Sequence, residues 1–316
     1  MDEKRQYFLC GVGGSGMLPL ALILRAGGHA VAGSDRALDQ GRTAPKFEFL
    51  KSRGVRLFAQ DGSGVDSASQ IVVASAAVEA TVPDIVRAQA LGCARMTRAE
   101  LLSALFNAAA TPIGVAGTSG KPTTTGMIAW ILHAAGRSPT VMNGAVMKNF
   151  AGPEAAFASA LVGEGGEFVS EIDESDGSIA LFNPAVAVVG NISLDHKSME
   201  ELRALFGDFI ARSKIAIVNA DDAETMALAG RARRVMTFSA SGAPADLMAR
   251  ILADAAAAIR IDSDGLGIDG TWTRILQECR RRCDEGHREE NGLSSACAHA
   301  SPHLRNLHAV RPAQKP

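Results

Sequence analysis

The sequence predicts an α/β chain of two tandem domains, each a parallel sheet with helices on both faces. Three observations carry that expectation. Short apolar runs alternate with longer amphipathic ones between residues 7 and 219, and strand, helix, strand in this rhythm implies parallel pairing through helical crossovers. Two of the apolar runs lead directly into glycine-rich turns, at Gly11–Gly16 and Gly117–Gly120. Polar residues gather just after later runs, where an open α/β sheet keeps its ligand crevice.

The predicted strands are 7–12 (YFLCGV), 70–76 (QIVVASA), 112–117 (PIGVAG), 139–144 (PTVMNG), 167–173 (EFVSEID), 185–191 (AVAVVGN) and 214–219 (KIAIVN), with a further strand ending at AGSDR. Each is a short apolar run, as a strand covered on both faces requires. Helices are predicted from the longer amphipathic stretches at 17–27 (MLPLALILRAG), 82–92 (VPDIVRAQALG), 97–108 (TRAELLSALFNA), 123–136 (TTTGMIAWILHAAG) and 199–213 (MEELRALFGDFIARS). Residues 107–111, NAAAT, separate one strand series from the next. The expected division is therefore 1–108, 109–270 and a tail, 271–316.

Composition sets limits on function. The chain has 316 residues, 47% hydrophobic and 21% charged, which is the make-up of a globular protein. A net charge of −2 gives no electrostatic reason to expect nucleic acid or an anionic membrane as partner. MDEKRQYF leads straight into a glycine turn and no apolar run reaches membrane-span length, so no signal peptide or membrane insertion is expected and a cytoplasmic address follows. Five unpatterned cysteines point to free thiols.

The tail differs from what precedes it. It holds four of the seven histidines and three of the five cysteines, with no strand or sustained helix pattern. Cys279, Cys283 and His287 are spaced by four and would share a helix face, but paired-knuckle zinc spacing is missing. An irregular or disordered terminus, or a shifted reading frame, is the expectation.

The first glycine turn, GVGGSG, places Gly11, Gly13 and Gly16 in a G-x-G-x-x-G pattern between a strand and a helix. Gly11, Val12, Gly13, Gly14, Ser15 and Gly16 would bring backbone N–H groups and a helix N-terminus to a diphosphate. Asp35, at the end of the next strand, is positioned for a ribose or a base. Taken alone the fingerprint also fits NAD, or a turn that only packs strand against helix. The second turn, Gly117, Thr118, Ser119, Gly120 and Lys121, likewise follows a strand and precedes a helix, so N–H groups and the lysine converge on phosphate. Val115 departs from the strict G-x-x-x-x-G-K form, and Pro122 stands where a Mg²⁺-binding hydroxyl is wanted. Glu171, Asp173 and Glu174 close one later strand, and Asn191, Asp195 and His196 follow another. Converging at one rim, oxygen ligands, Lys121 and a histidine suit Mg-nucleotide; separately, they read as a solvated acidic loop and a turn histidine.

In order, GVGGSGM, GSD, TRAELL, AGTSGKPTTT, EIDESDGS, GNISLDH and VNADD resemble the Mur ligase family, from about Tyr7 to about Gly270. The resemblance implies a Rossmann-like first domain binding a UDP-sugar at Gly11–Gly16 and a phosphate-loop ATPase domain binding ATP at Gly117–Thr123. It also implies that Lys121, Glu171 and His196 are catalytic, with Mg²⁺ on Glu171 and His196. The implied reaction is ATP-dependent amide formation: the carboxylate of UDP-N-acetylmuramate becomes an acyl phosphate, and an amino acid, L-alanine first among the candidates, or a peptide displaces phosphate. Three departures bear on it. Pro122 removes both a hydroxyl and an N–H, and Thr123, about 100° further round the helix, points elsewhere. Ser119 stands where the nearest family members have His. Nothing after Gly270 resembles the family's third domain, so the chain is expected to lack it. A ligase with impaired turnover and a UDP-sugar or nucleotide binder without turnover are the two readings, with an oxidoreductase as a distant third.

Overall fold

Every apolar run predicted above as a strand is a strand in the computed structural model, which describes residues 4–152, 155–195 and 197–248. The first sheet contains β1 (Gln6–Cys10), β2 (Ala30–Ser34), β3 (Arg56–Phe58), β4 (Gln70–Ala74) and β5 (Ala94–Thr97). Their order is β3-β2-β1-β4-β5, all parallel. Helices α1 (Met17–Ala26), α2 (Arg36–Asp39), α3 (Ala44–Ser52) and α4 (Pro83–Leu91) lie along its crossovers, and α5 (Arg98–Asn107) follows β5. The chain builds outward from β1 to one side and then returns to the other, so the order reverses between β1 and β4. Ligand crevices of open α/β sheets lie at such reversals, and the first glycine turn leaves the end of β1.

The second sheet contains β6 (Thr111–Ala116), β7 (Thr140–Met142), β8 (Ala160–Leu161), β9 (Glu167–Glu171), β10 (Val186–Val189), β11 (Ile215–Asn219), β12 (Val235–Ser239) and β13 (Leu247–Met248). The order is β13-β12-β11-β10-β6-β9-β7-β8, parallel except for β8 against β7. Helices α6 (Lys121–Ala134), α7 (Met199–Arg212) and α8 (Ala223–Leu228) complete it. Here the reversal falls between β6 and β10, and the second glycine turn leaves the end of β6.

Strands β3 and β5 have no counterpart in the predicted set because they lie at sheet edges, are short, and stay partly exposed, so neither shows a continuous apolar run. Helix α3 buries only Phe47 and Leu50, too few to show a helical period. The run 7–12 ends as a strand at Cys10, because Gly11 turns the chain at φ +81°.

The core is continuous across the two sheets through α5. Phe106, fully buried, meets Phe168 edge-on at 5.9 Å and Phe182 at 5.4 Å, contacts worth about 0.5–1.5 kcal/mol each beyond simple burial. The Asn107 side chain donates to the Leu181 carbonyl at 2.9 Å and accepts from the Asn183 N–H at 2.8 Å. These contacts fix α5 against the second sheet. Among the described residues no helix is long and apolar enough to cross a membrane. The tail with Cys279, Cys283 and His287 lies outside the described residues.

Candidate active site

The phosphate-type loop follows β6 and bends at Gly117, whose φ of +140° excludes a side chain. A Cβ there would stand 3.1 Å from the Asn191 carbonyl oxygen. Asn191, just beyond β10, braces the loop: its carbonyl accepts the Thr118 N–H at 3.1 Å, its side-chain oxygen accepts the Ser119 N–H at 3.0 Å, and its side-chain amide donates to the Ser119 carbonyl at 2.9 Å. Thr118 and Ser193 add a reciprocal pair, the Thr118 hydroxyl donating to the Ser193 carbonyl at 3.2 Å and accepting its N–H at 3.0 Å. The Ser119 hydroxyl donates to Asn191 at 3.3 Å, so the phosphate donor expected at this position is engaged within the protein.

Gly120, at φ +79°, caps α6, and the helix begins at Lys121 with Pro122 in its first turn. A residue before proline disfavours helical geometry, yet Lys121 adopts it here. Its ammonium folds back to donate to the Gly117 carbonyl at 2.9 Å and to Glu174 at 2.7 Å, with side-chain exposures of 17% for Lys121 and 6% for Glu174. The Pro122 carbonyl accepts from the Asn143 side chain at 2.9 Å, and Thr123 is exposed.

Glu171 ends β9 opposite Gly144, just past β7. The Gly144 N–H donates to its carboxylate, and a Cβ at Gly144 would overlap Glu171 Oε1 and stand 3.2 Å from its Cδ. Burial pushes the Glu171 carboxyl up, more strongly than the Gly144 N–H and Lys121 pull it down. Asp173 moves the other way: burial raises it, but hydrogen bonds from Ser175 and the charges of Lys121 and Arg98 hold it below the usual carboxylate range. Two neighbouring carboxylates are thus tuned apart, Asp173 shifted down and Glu171 shifted up.

At the first glycine turn the N–H groups of Gly11 and Val12 donate to the Ser34 carbonyl at 2.8 and 2.9 Å, tying the turn to the end of β2. Asp35 is bonded into it: one oxygen accepts the Gly13 N–H at 2.8 Å, and the other caps α2 through the Ala37 N–H at 2.8 Å. Lys46 donates to the Gly13 carbonyl at 2.9 Å. Asp35 therefore shapes the turn, and it does not line the cavity described next.

A cavity of about 400 Å³ takes in the first glycine turn and, from the second, Lys121 alone; Gly117, Thr118, Ser119 and Gly120 do not line it. Gly11, Gly14, Ser15 and Gly16 line it from the first sheet, and Lys121, Glu171 and Asp173 from the second. Arg98, from the start of α5, also lines it. Of the residues predicted from sequence, Lys121 and Glu171 are brought together with the first turn, while His196 lies outside the described residues. Arg98, Gly144 and Asn191's bracing role were not predicted from sequence. The signal for Arg98 is a cation at the first position of a helix, where the dipole opposes it. Among the described residues no group of three or more His, Cys, Asp or Glu forms a metal site. The oxygen donors that do face the cavity, Glu171 and Asp173 beside Lys121, match the chemistry of a hard cation carrying phosphate oxygens.

This fold and site define a class. Residues 7–110 match the model described as "Mur ligase family, catalytic domain" and residues 115–265 that described as "Mur ligase middle domain", and the chain belongs to the Mur ligase family. Among its relatives is the UDP-N-acetylmuramate–L-alanine ligase of Thermosynechococcus vestitus, 37% identical over 228 residues that cover 69% of this chain and 46% of the relative. Among solved structures, the UDP-N-acetylmuramate–alanine ligase of Thermotoga maritima superposes with a TM-score of 0.63 at 25% identity, covering 75% of this chain and 53% of that one. A murein peptide ligase from Psychrobacter arcticus shares the fold with a TM-score of 0.68 at 23% identity, over 79% of this chain and 56% of that one. The chain spans about half the length of the curated relatives it matches.

Proposed function

We propose that the chain serves an ATP-dependent, amide-forming ligase of peptidoglycan precursor synthesis in the cytoplasm, joining an amino acid, L-alanine first among candidates, or a peptide to UDP-N-acetylmuramate. In this reading residues 1–108 take the UDP-sugar at Gly11–Gly16, with Asp35 shaping that turn, and residues 109–270 take ATP at Gly117–Thr123. The observation that supports it is the cavity in which the first glycine turn meets Lys121 and Glu171 of the second sheet, because phosphoryl transfer needs the acceptor and the phosphate-binding lysine in one space.

The reacting groups, a carboxylate and a terminal phosphate, are both anionic, so their repulsion has to be cancelled before they meet. Lys121 neutralises phosphate charge from the loop, at the expense of its contact with Glu174. Glu171, held by Gly144, and His196 would hold Mg²⁺, which supplies positive charge and a template for the phosphate oxygens. Asp173 adds a negative charge near Lys121, whose ammonium is oriented by Glu174 and the Gly117 carbonyl. Phosphorylation makes the sugar carboxyl an acyl donor, and attack by the amine then releases phosphate.

A second reading, binding without turnover, is favoured by Pro122, which offers neither a hydroxyl nor an N–H in the first turn of α6. Losing one such donor costs on the order of 2–4 kcal/mol of transition-state stabilisation, a rate loss of about 30- to 1000-fold. Inorganic phosphate release from Mg-ATP, measured with UDP-N-acetylmuramate and a panel of amino acids, decides between them. The ligase reading predicts slow release that requires both co-substrates and rises in Pro122→Thr. Uptake of UDP-N-acetylmuramate with no release in either protein would establish the binder instead.

A further inference from the structure

Arg98 is the first residue of α5 and sits at the crevice end of the first sheet, directly after β5. Its backbone is held on both sides. Thr97 accepts the Glu100 N–H at 3.1 Å while Glu100 accepts the Thr97 N–H at 2.7 Å, and Leu101, Leu102 and Phe106 anchor the helix in the core. A cation at this end of a helix works against the helix dipole, so the position is not explained by helix stability.

The side chain lies along Gly16, the residue that opens α1. A Cβ at Gly16 would stand 2.8 Å from Arg98 Cδ and 3.1 Å from Nη1, so glycine is what lets the guanidinium approach. The guanidinium shares the cavity lining with Gly14, Ser15 and Gly16. Among the described residues Arg98 has no hydrogen bond or contact ion pair, although its charge is felt by Glu171 and Asp173 across the cavity. An arginine carries five N–H donors in a rigid fork that matches phosphate oxygens two at a time. Here that fork is unpaired, faces the cavity, and stands beside a glycine turn whose helix N-terminus favours anions.

We infer that Arg98 is the side-chain clamp on the diphosphate of the nucleotide sugar, reaching it from α5 alongside the Gly14–Gly16 backbone. This rests on the proposal that the first glycine turn takes a UDP-sugar.

Calorimetric titration of UDP and, separately, of Mg-ATP into the unaltered chain, Arg98→Gln and Arg98→Lys tests it. UDP affinity is expected to fall about tenfold to a hundredfold in Arg98→Gln, the loss typical of a charge-assisted pair. Arg98→Lys should recover part of it, because a point charge replaces the fork. Mg-ATP affinity should be unchanged in both variants, and the melting temperature of Arg98→Gln should be equal to or above that of the unaltered chain, which separates ligand binding from a structural role. If the unaltered chain binds UDP and Arg98→Gln binds it equally well, the inference fails while the UDP-sugar reading stands. Weakened Mg-ATP with intact UDP binding would move Arg98 to the other nucleotide and overturn it as well. Absence of UDP binding by the unaltered chain would bring down the functional reading and this inference with it.

Discussion

Replacing Glu174 by Gln asks whether Lys121 is a phosphate-binding lysine held by an internal stand-in. The Lys121 ammonium lies 2.7 Å from Glu174 and 2.9 Å from the Gly117 carbonyl. Removing one partner of a buried ion pair costs about 3–5 kcal/mol, because the other charge stays behind. Lys121 opens onto the cavity, keeps Gly117, and can still donate to the glutamine oxygen, so about 2–3 kcal/mol is expected. At roughly 2–4 °C per kcal/mol for a chain of this size, the melting temperature should fall by about 4–12 °C. Thermal unfolding followed by circular dichroism, with and without tripolyphosphate or Mg-ATP, reads the rest. In the unaltered protein a phosphate has to share Lys121 with Glu174; in Glu174→Gln it does not. Phosphate ligands should therefore raise the variant's melting temperature by more than they raise that of the unaltered protein, and adenosine should raise neither. A loss under about 2 °C, or equal ligand shifts in the two proteins, would refute the reasoning.

Other expectations follow from the same geometry. Gly144→Ala should leave the melting temperature nearly unchanged, because the flexible Glu171 side chain swings away, but lower Mn²⁺ affinity in the presence of ATP about 10- to 100-fold, as loss of a ligand's supporting partner does; a titration followed by electron paramagnetic resonance reads the free ion. Burial raises the Glu171 carboxyl above its usual value of 4.5, so the folded state holds that proton more tightly. Its contribution to stability is complete below the unfolded value and is lost as pH rises through the folded one. Glu171→Gln should accordingly gain stability relative to the unaltered protein as pH rises from about 4.5, seen in urea unfolding across pH. Burial first, and the neighbouring Asp84 next, push the Cys10 thiol up to about 12. Cys10 should therefore resist iodoacetamide at pH 8 in the folded protein and react after unfolding, which peptide mass spectrometry distinguishes.

The sequence exposed those parts of the site that depend on local backbone geometry. Gly11 and Gly117 occupy positive-φ turns at the ends of β1 and β6, so their spacing after apolar runs could be read directly, and so could the acidic residues closing β9. What stayed hidden depends on contacts between distant segments. Gly144 is one more glycine after a strand until Glu171 is seen to fill the space a Cβ would take. Asn191 reads as one of the polar residues after a strand until its side chain is found bonded to Ser119. Sequence does not show the Gly13 and Ala37 N–H groups that Asp35 accepts. Arg98 belonged to a helix pattern whose start gave no hint of Gly16 beside it. Edge strands such as β3 were missed because exposure on one side removes the apolar run that marks a strand.

Crystals soaked with UDP-N-acetylmuramate and a non-hydrolysable Mg-ATP analogue offer the most direct test. Both ligands should lie in the one cavity, the diphosphate between Gly14–Gly16 and Arg98 and the triphosphate between Gly117 and Lys121, with the sugar carboxylate turned toward the terminal phosphate near Glu171. Density for the two ligands in separate pockets, or a triphosphate that leaves Lys121 paired only with Glu174, would contradict the account.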